Sequence, residues 1–148
     1  GLAERTSVLE WTLFQCSSLG PMLGQATHFR RYARESHAYS VERYTSEAVR
    51  LYGVLERRLG DREWIAAGEY SIADIATFPW ICRHRRQGVT INDFPAVKNW
   101  LDRVSARPAV TRGMNLLKEA AMASPLDDQA HEKLFGTRSD ALISVGQA

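Results

Sequence analysis

Strand signals are almost missing from this chain of 148 residues: no segment alternates polar and apolar side chains over a convincing length. That excludes a sheet as the main frame. Long apolar runs are missing too. None is long enough to cross a bilayer and no signal-peptide pattern opens the chain, so the expectation is a cytoplasmic protein without a membrane partner. Cysteine is scarce. Cys16 and Cys82 both sit in apolar helical patterns, which points to reduced, buried thiols rather than a disulfide framework. Charge of one sign is lacking as well. A net charge of +2 is too small to argue for nucleic acid, and the cluster Arg30, Arg31 and Arg34 reads as a solvated surface. There is no Gly-rich phosphate loop and no serine nucleophile elbow. The His residues are scattered, and no His-Cys-Glu spacing suggests a metal site.

Helical periodicity, by contrast, runs through nearly every segment up to Lys118. An apolar content of 45% is ordinary for a globular chain, so this length supports one domain with a sizeable core. The first helix is expected over about residues 4–33, with Pro21 bending it by removing a backbone hydrogen bond. A second follows from about Val41 to Leu59, with Ser40 as candidate cap and an apolar stripe of Val41, Tyr44, Ala48, Leu51, Leu55 and Leu59. Gly60-Asp61 ends it. Pro95 opens a later helix at the first-turn position, where its missing N–H costs nothing. Arg107-Pro108 breaks that helix, and a short one continues to about Lys118. Residues 126–135 form a candidate last helix, and 136–148 read as a loose tail. The whole is an all-α bundle: residues 1–121 make the helical domain, and 122–148 its C-terminal helix and tail. The chain starts at Gly1 without Met and enters a helix at once, so a fragment is expected.

One stretch stands out. Ser71 and Asp74 are three residues apart ahead of an apolar run, a capping box with Asp in the place of Glu or Gln. Tyr70 and Ile75 fall where a hydrophobic staple would fix the entry angle. From Ile72 through Ile81 the helix is apolar all round, which calls for complete burial. Asp74 has the chemistry of a catalytic acid, but its cap geometry already accounts for it.

The first helix has an unusual face: Trp11, Gln15, Ser18, Met22, Gln25 and Phe29 recur at helical spacing. Aromatics and a Met alternate there with amides and a hydroxyl. Such a face suits either a cleft that grips an apolar ligand or a helix–helix or subunit interface with satisfied polar groups. The neighbouring face, Leu9, Leu13, Cys16, Gly20 and Leu23, reads as core. His28 stands beside Phe29 and could border a cleft. On the second helix, Arg43 has a bland partner in Glu47, four residues on. A guanidinium near a helix start opposes the dipole, so a ligand carboxylate bound bidentately is the alternative.

Several of these segments resemble one family. Trp11-Thr12-Leu13-Phe14-Gln15, Gly20-Pro21-Met22-Leu23-Gly24-Gln25, His28-Phe29 and Val41-Glu42-Arg43-Tyr44 are similar to the nu-class glutathione transferases, bacterial relatives of a fungal nitrogen-catabolite regulator. Leu51-Tyr52-Gly53-Val54-Leu55, the run 71–80, Phe94-Pro95-Ala96-Val97-Lys98-Asn99-Trp100 and Arg107-Pro108-Ala109-Val110 continue the likeness. The resemblance implies the C-terminal helical bundle of a dimeric, cytoplasmic, glutathione-dependent enzyme. Such enzymes reduce small disulfides through bound glutathione and add thiols weakly to electrophiles. It implies that Arg43 reaches glutathione in the neighbouring subunit, that Phe14, Gln15, Met22 and Phe29 line the cleft for the second substrate, and that Ser71 and Asp74 are a structural cap. No catalytic residue and no metal ligand is assigned. The family's N-terminal thioredoxin-like domain, which activates the thiol, has no counterpart in this sequence, so the chain alone is expected to be inactive. The alternatives are a stand-alone helical protein-interaction module, and a regulator like the fungal relative.

Overall fold

A computed structural model describes residues 1–116 and 127–136, and among these all regular structure is helical. The chain opens with α1 (Leu2–Phe14), passes through a wide π turn (Gln15–Leu19) and continues as α2 (Gly20–Arg31). The irregularity precedes Pro21 rather than falling on it. In the π turn the Gly20 N–H donates to the Gln15 carbonyl, five residues back. Widening the helix there takes the chain past a residue that cannot donate.

That turn also overturns part of the expected packing. A π turn inserts one residue, so faces read at 3.6 residues per turn fall out of phase across it by about 100°. Of the face expected to be core, Gly20 and Leu23 are buried, but Leu9 is 42% exposed, Leu13 is 64% exposed and Cys16 is exposed. The inward positions are instead Gln15 and Leu19, with Val8 and Trp11 packed against the core. The expectation of two buried thiols therefore fails for Cys16; Cys82 is half-buried.

Helix α3 (Ala38–Leu59) buries Ala48, Leu51, Leu55 and Leu59 of the expected stripe and adds Tyr52, while Val41 and Tyr44 are only half-buried. It starts before Ser40, which lies inside the first turn; His37 is the N-cap residue and makes no side-chain cap. α4 (Ile72–Ile81) follows a loop in which Ala67 and Gly68 have φ of 57° and 71°. The expectation of complete burial for α4 is corrected. Ala73, Asp74, Thr77, Phe78 and Ile81 are buried, while Ile72 and Ile75 are each 52% exposed. Its neighbours in the described chain cover one side of the helix. At the entry to α4, Tyr70 packs edge-on against Trp64 at 5.3 Å and lies under the Arg107 guanidinium at 3.8 Å. Two 3₁₀ turns (His84–Gln87 and Ile91–Asp93) lead to α5 (Pro95–Ser105), which has Pro95 in its first turn. α6 (Pro108–Asn115) and α7 (Asp128–Phe135) complete the described helices.

The chain divides into two compact units, Gly1–Thr111 and Arg112–Ala148. In the first, α2 packs on α3, α3 on α5 and α1 on α4 around Leu19, Leu23, Tyr52, Leu55, Ile81 and Trp100. In the second, Asp127 Oδ1 caps α7 by accepting from the Ala130 N–H at 2.7 Å. The expected end of the preceding helix near Lys118 and most of the expected tail lie outside the described residues.

Polar groups tie the core elements together. The Ser71 hydroxyl accepts from the Ala73 N–H, and the reciprocal capping box with Asp74 is formed. Asp74 is fully buried and does more than cap. Its Oδ2 accepts from the Ser71 N–H at 3.0 Å; its Oδ1 accepts from the Ile65 N–H at 3.1 Å and from Trp100 Nε1–H at 2.8 Å. Glu56 on α3 accepts from the Ala96 and Val97 N–H groups at 3.0 and 2.9 Å, and so caps α5 from a distance. Tyr52 donates to Gln87 Oε1 at 2.7 Å, and Gln87 donates to the Trp80 carbonyl at 2.8 Å. Burial pushes the Tyr52 hydroxyl well above its ordinary pKa, so it stays a donor.

Asp74→Ala leaves two buried donors, from Ile65 and Trp100, without a partner. Each such loss costs about 1–3 kcal/mol, so urea unfolding of the variant should show a loss of about 2–6 kcal/mol. A loss below about 1 kcal/mol, the worth of an ordinary cap, would count against the wider role.

Candidate functional site

The candidate site residues fall into two groups along the first helix. Near the end of α1, Phe14 meets Trp11 edge-on at 5.4 Å. Trp11 lies under the Arg58 guanidinium at 4.9 Å, and Arg58 Nε–H donates to the Ile65 carbonyl at 2.7 Å. Phe14 is half-buried. Gln15 follows it but turns inward and is only 6% exposed. Its Oε1 accepts from Cys16 Sγ at 3.2 Å, and its amide nitrogen lies 2.8 Å from where a Cβ on Gly20 would stand. Gln15 thus supports the π turn from within.

Trp80 of α4 closes on this same place. Its ring would be 3.3 Å from a Cβ on Gly20 and 3.7 Å from one on Gly24. Two glycines one turn apart leave the notch that receives the indole. The spacing of Gly20 and Gly24 was the available signal, yet nothing in it pointed to Trp80 as the occupant.

The second group lies farther along α2. Met22 and Phe29 are half-buried, and Gln25, between them on the helical face, is exposed. Phe29 stacks flat on Tyr44 of α3, with centroids 5.4 Å apart and an interplanar angle of 5°. His28 and His37 meet the Phe29 ring edge-on at 5.1 and 5.9 Å. The structure thereby brings Phe29 together with the Glu42-Arg43-Tyr44 motif. Ser71 and Asp74 stand instead at the start of α4, Ser71 half-buried and Asp74 in the core.

Arg43 is exposed, and the bland partnership with Glu47 does not form. Arg50 takes Glu47 instead through two hydrogen bonds, Nε–H to Oε2 at 2.8 Å and Nη2–H to Oε1 at 2.7 Å. The Arg50 hydrogen bond is the main reason the Glu47 carboxyl sits below its ordinary pKa; Arg43 adds only a more distant charge. The guanidinium of Arg43 is in no ion pair among the described residues.

Other candidates have structural duties. His84 Nδ1 is 3.0 Å from the Val89 carbonyl and steadies the 3₁₀ turn. Arg30 donates to Thr45 at 3.4 Å and packs over Gly88, whose φ of 80° and lack of a side chain let the guanidinium approach. Burial pushes the Cys82 thiol above its ordinary pKa, which lowers its thiolate fraction. No group of His, Cys, Asp or Glu that could hold a metal ion occurs among the described residues. None of the described helices is long and apolar enough to cross a membrane.

The model of the glutathione S-transferase C-terminal domain matches residues 21–108, which include Met22, Phe29, Arg43, Tyr44 and the Asp74 cap. The chain belongs to the glutathione S-transferase C-terminal domain family. Within the family it is of the nu, or Ure2p-like, type. The disulfide-bond oxidoreductase YfcG of Escherichia coli is 46% identical over 115 residues, which cover 78% of this chain and 53% of YfcG. The transcriptional regulator URE2 of Saccharomyces cerevisiae is 32% identical, over 76% of this chain and 41% of URE2. A glutathione transferase from Burkholderia graminis, solved with two glutathione molecules bound per subunit, is 41% identical. It matches with a TM-score of 0.72 over 80% of this chain and 52% of that one. The chain spans about half the length of the curated relatives it matches.

The two glycines under Trp80 differ in clearance, and that difference is measurable. Gly20→Ala forces a Cβ against the Gln15 amide and the Trp80 ring, and should destabilise by about 1–3 kcal/mol. Gly24→Ala meets only ordinary contacts at 3.7 and 3.8 Å. It should be neutral or stabilising by up to about 1 kcal/mol, the helix-propensity gain of Ala over Gly. Thermal unfolding of both variants checks the contrast.

Proposed function

We propose that this chain is the substrate-cleft and dimerisation half of a glutathione-dependent enzyme that reduces small disulfides through bound glutathione and adds glutathione weakly to electrophiles. The reading is supported by the family membership, by 46% identity to a relative named as a disulfide-bond oxidoreductase, and by a similar transferase that holds glutathione. Arg43 is the observation that carries it: an exposed guanidinium on α3, left available because Arg50 occupies Glu47. A planar guanidinium in that state suits a carboxylate of glutathione, bound bidentately. In the homodimer this reading requires, Arg43 reaches the glutathione of the neighbouring subunit.

Phe14 and Met22, both half-buried, would present apolar surface to the disulfide or electrophile, with Gln15 holding the π turn beneath them and Phe29 at the far end. Nothing in this set lowers the pKa of a thiol. That step needs a donor or positive charge at the sulfur, which the reading assigns to a thioredoxin-like domain. A second reading, a partner-binding module without catalysis, draws on the 32% identity to a transcriptional regulator. It requires that no turnover appear even when a thioredoxin-like domain is joined to the chain.

Two measurements test the main reading. The chain of 148 residues alone should not turn over a small disulfide with glutathione above a buffer control; turnover would sink the division of labour. In the dimer that carries a thioredoxin-like domain, Arg43→Ala should weaken glutathione binding by about 1.5–3 kcal/mol, the worth of a charge-assisted hydrogen bond. Calorimetry that finds unchanged affinity would reject the assignment of Arg43.

A further inference from the structure

The turns of α3 that carry Arg43 lack what ordinarily holds a helix start. His37, the N-cap residue, makes no side-chain cap, and no acidic side chain stands in the first turn to meet the helix dipole. An aromatic contact lies there instead. The Phe29 ring stacks flat on Tyr44 and meets His37 edge-on. One side chain from α2 thus touches both the residue before α3 and one seven positions later, and so spans the first two turns of the helix. Arg43 lies inside that span. His28 closes on the same ring. Arg30 also donates to Thr45, an exposed bond of 3.4 Å that does not reach His37.

We propose that Phe29 is a positioning residue for Arg43: its ring clamps the uncapped start of α3 and so fixes the direction from which the guanidinium meets an anionic ligand. The proposal rests on the assignment of Arg43 as the carboxylate-binding group. A bidentate contact demands a fixed approach, and fraying of the backbone beneath a long side chain loosens it. In this arrangement Phe29 acts through α3 and need not touch the ligand.

Phe29→Leu removes the ring while keeping an apolar side chain, and Phe29→Tyr keeps the ring. In the protein without ligand, Phe29→Leu should speed amide hydrogen exchange over residues 39–45 by roughly three- to tenfold, the loss expected for an aromatic pair. Exchange over residues 51–59 should hold, and Phe29→Tyr should restore the native rates. Unchanged exchange at the start of α3 overturns the clamp. In the intact glutathione-binding dimer, Phe29→Leu should raise the glutathione Kd by roughly three- to tenfold when Arg43 is present and leave it unmoved in an Arg43→Ala background. An equal loss in both backgrounds overturns the positioning role. If Arg43→Ala is silent while exchange still responds to Phe29→Leu, the assignment of Arg43 fails and the clamp on α3 stands.

Discussion

Three N–H groups from three parts of the chain end on one carboxylate. Asp74 accepts from Ser71 at the start of α4, from Ile65 in the preceding loop and from the Trp100 indole on α5. Removed from water, each of these donors would be costly to leave unpaired, and the carboxylate would be more costly still. They satisfy one another, so the loop, α4 and α5 hold together or not at all. Trp100 is the largest fully buried side chain, and its polar edge is anchored at this point. The packing of α3 on α5 depends on a second carboxylate of the same kind, Glu56, which reaches the uncapped start of α5.

The parts of the fold that could be read from sequence are those fixed by local chemistry. The Ser71–Asp74 box, the opening proline of α5 and the stripe Ala48–Leu51–Leu55–Leu59 depend on spacing within a single element. Two kinds of feature escaped. One is action at a distance: neither the reach of Asp74 to Trp100 nor that of Glu56 to Ala96 has a signature in spacing. The other is a fault in the ruler itself. A fixed helical period carried through residues 15–19 assigns Leu13 to the core and Gln15 to a mixed face beside it; in the structure Leu13 is exposed and Gln15 is buried.

The candidate site was legible as a list of residue types, less so as an arrangement. Arg43 gained weight once Glu47 was found engaged by Arg50, a competition that one helix face does not reveal. Phe29 moved the other way. Its spacing fits either a cleft wall or a helix–helix interface, and the resemblance implies the cleft; in the structure much of its ring is committed to Tyr44 and the two histidines. Aromatic side chains at helical spacing carry no mark that separates a ligand-facing ring from one that joins two helices.

The extra residue in the π turn makes the first helix a two-phase object. Its halves differ in rotational setting. Drawing residues 15–19 into α geometry with every residue kept would regularise the hydrogen-bond ladder and turn α1 by about 100° against α2. Leu9 and Leu13 would swing toward the bundle, and Trp11 would leave its place beneath Arg58. Local backbone regularity and correct facing are therefore opposed in this helix. The chain keeps its aromatic side chains aimed by tolerating one irregular turn.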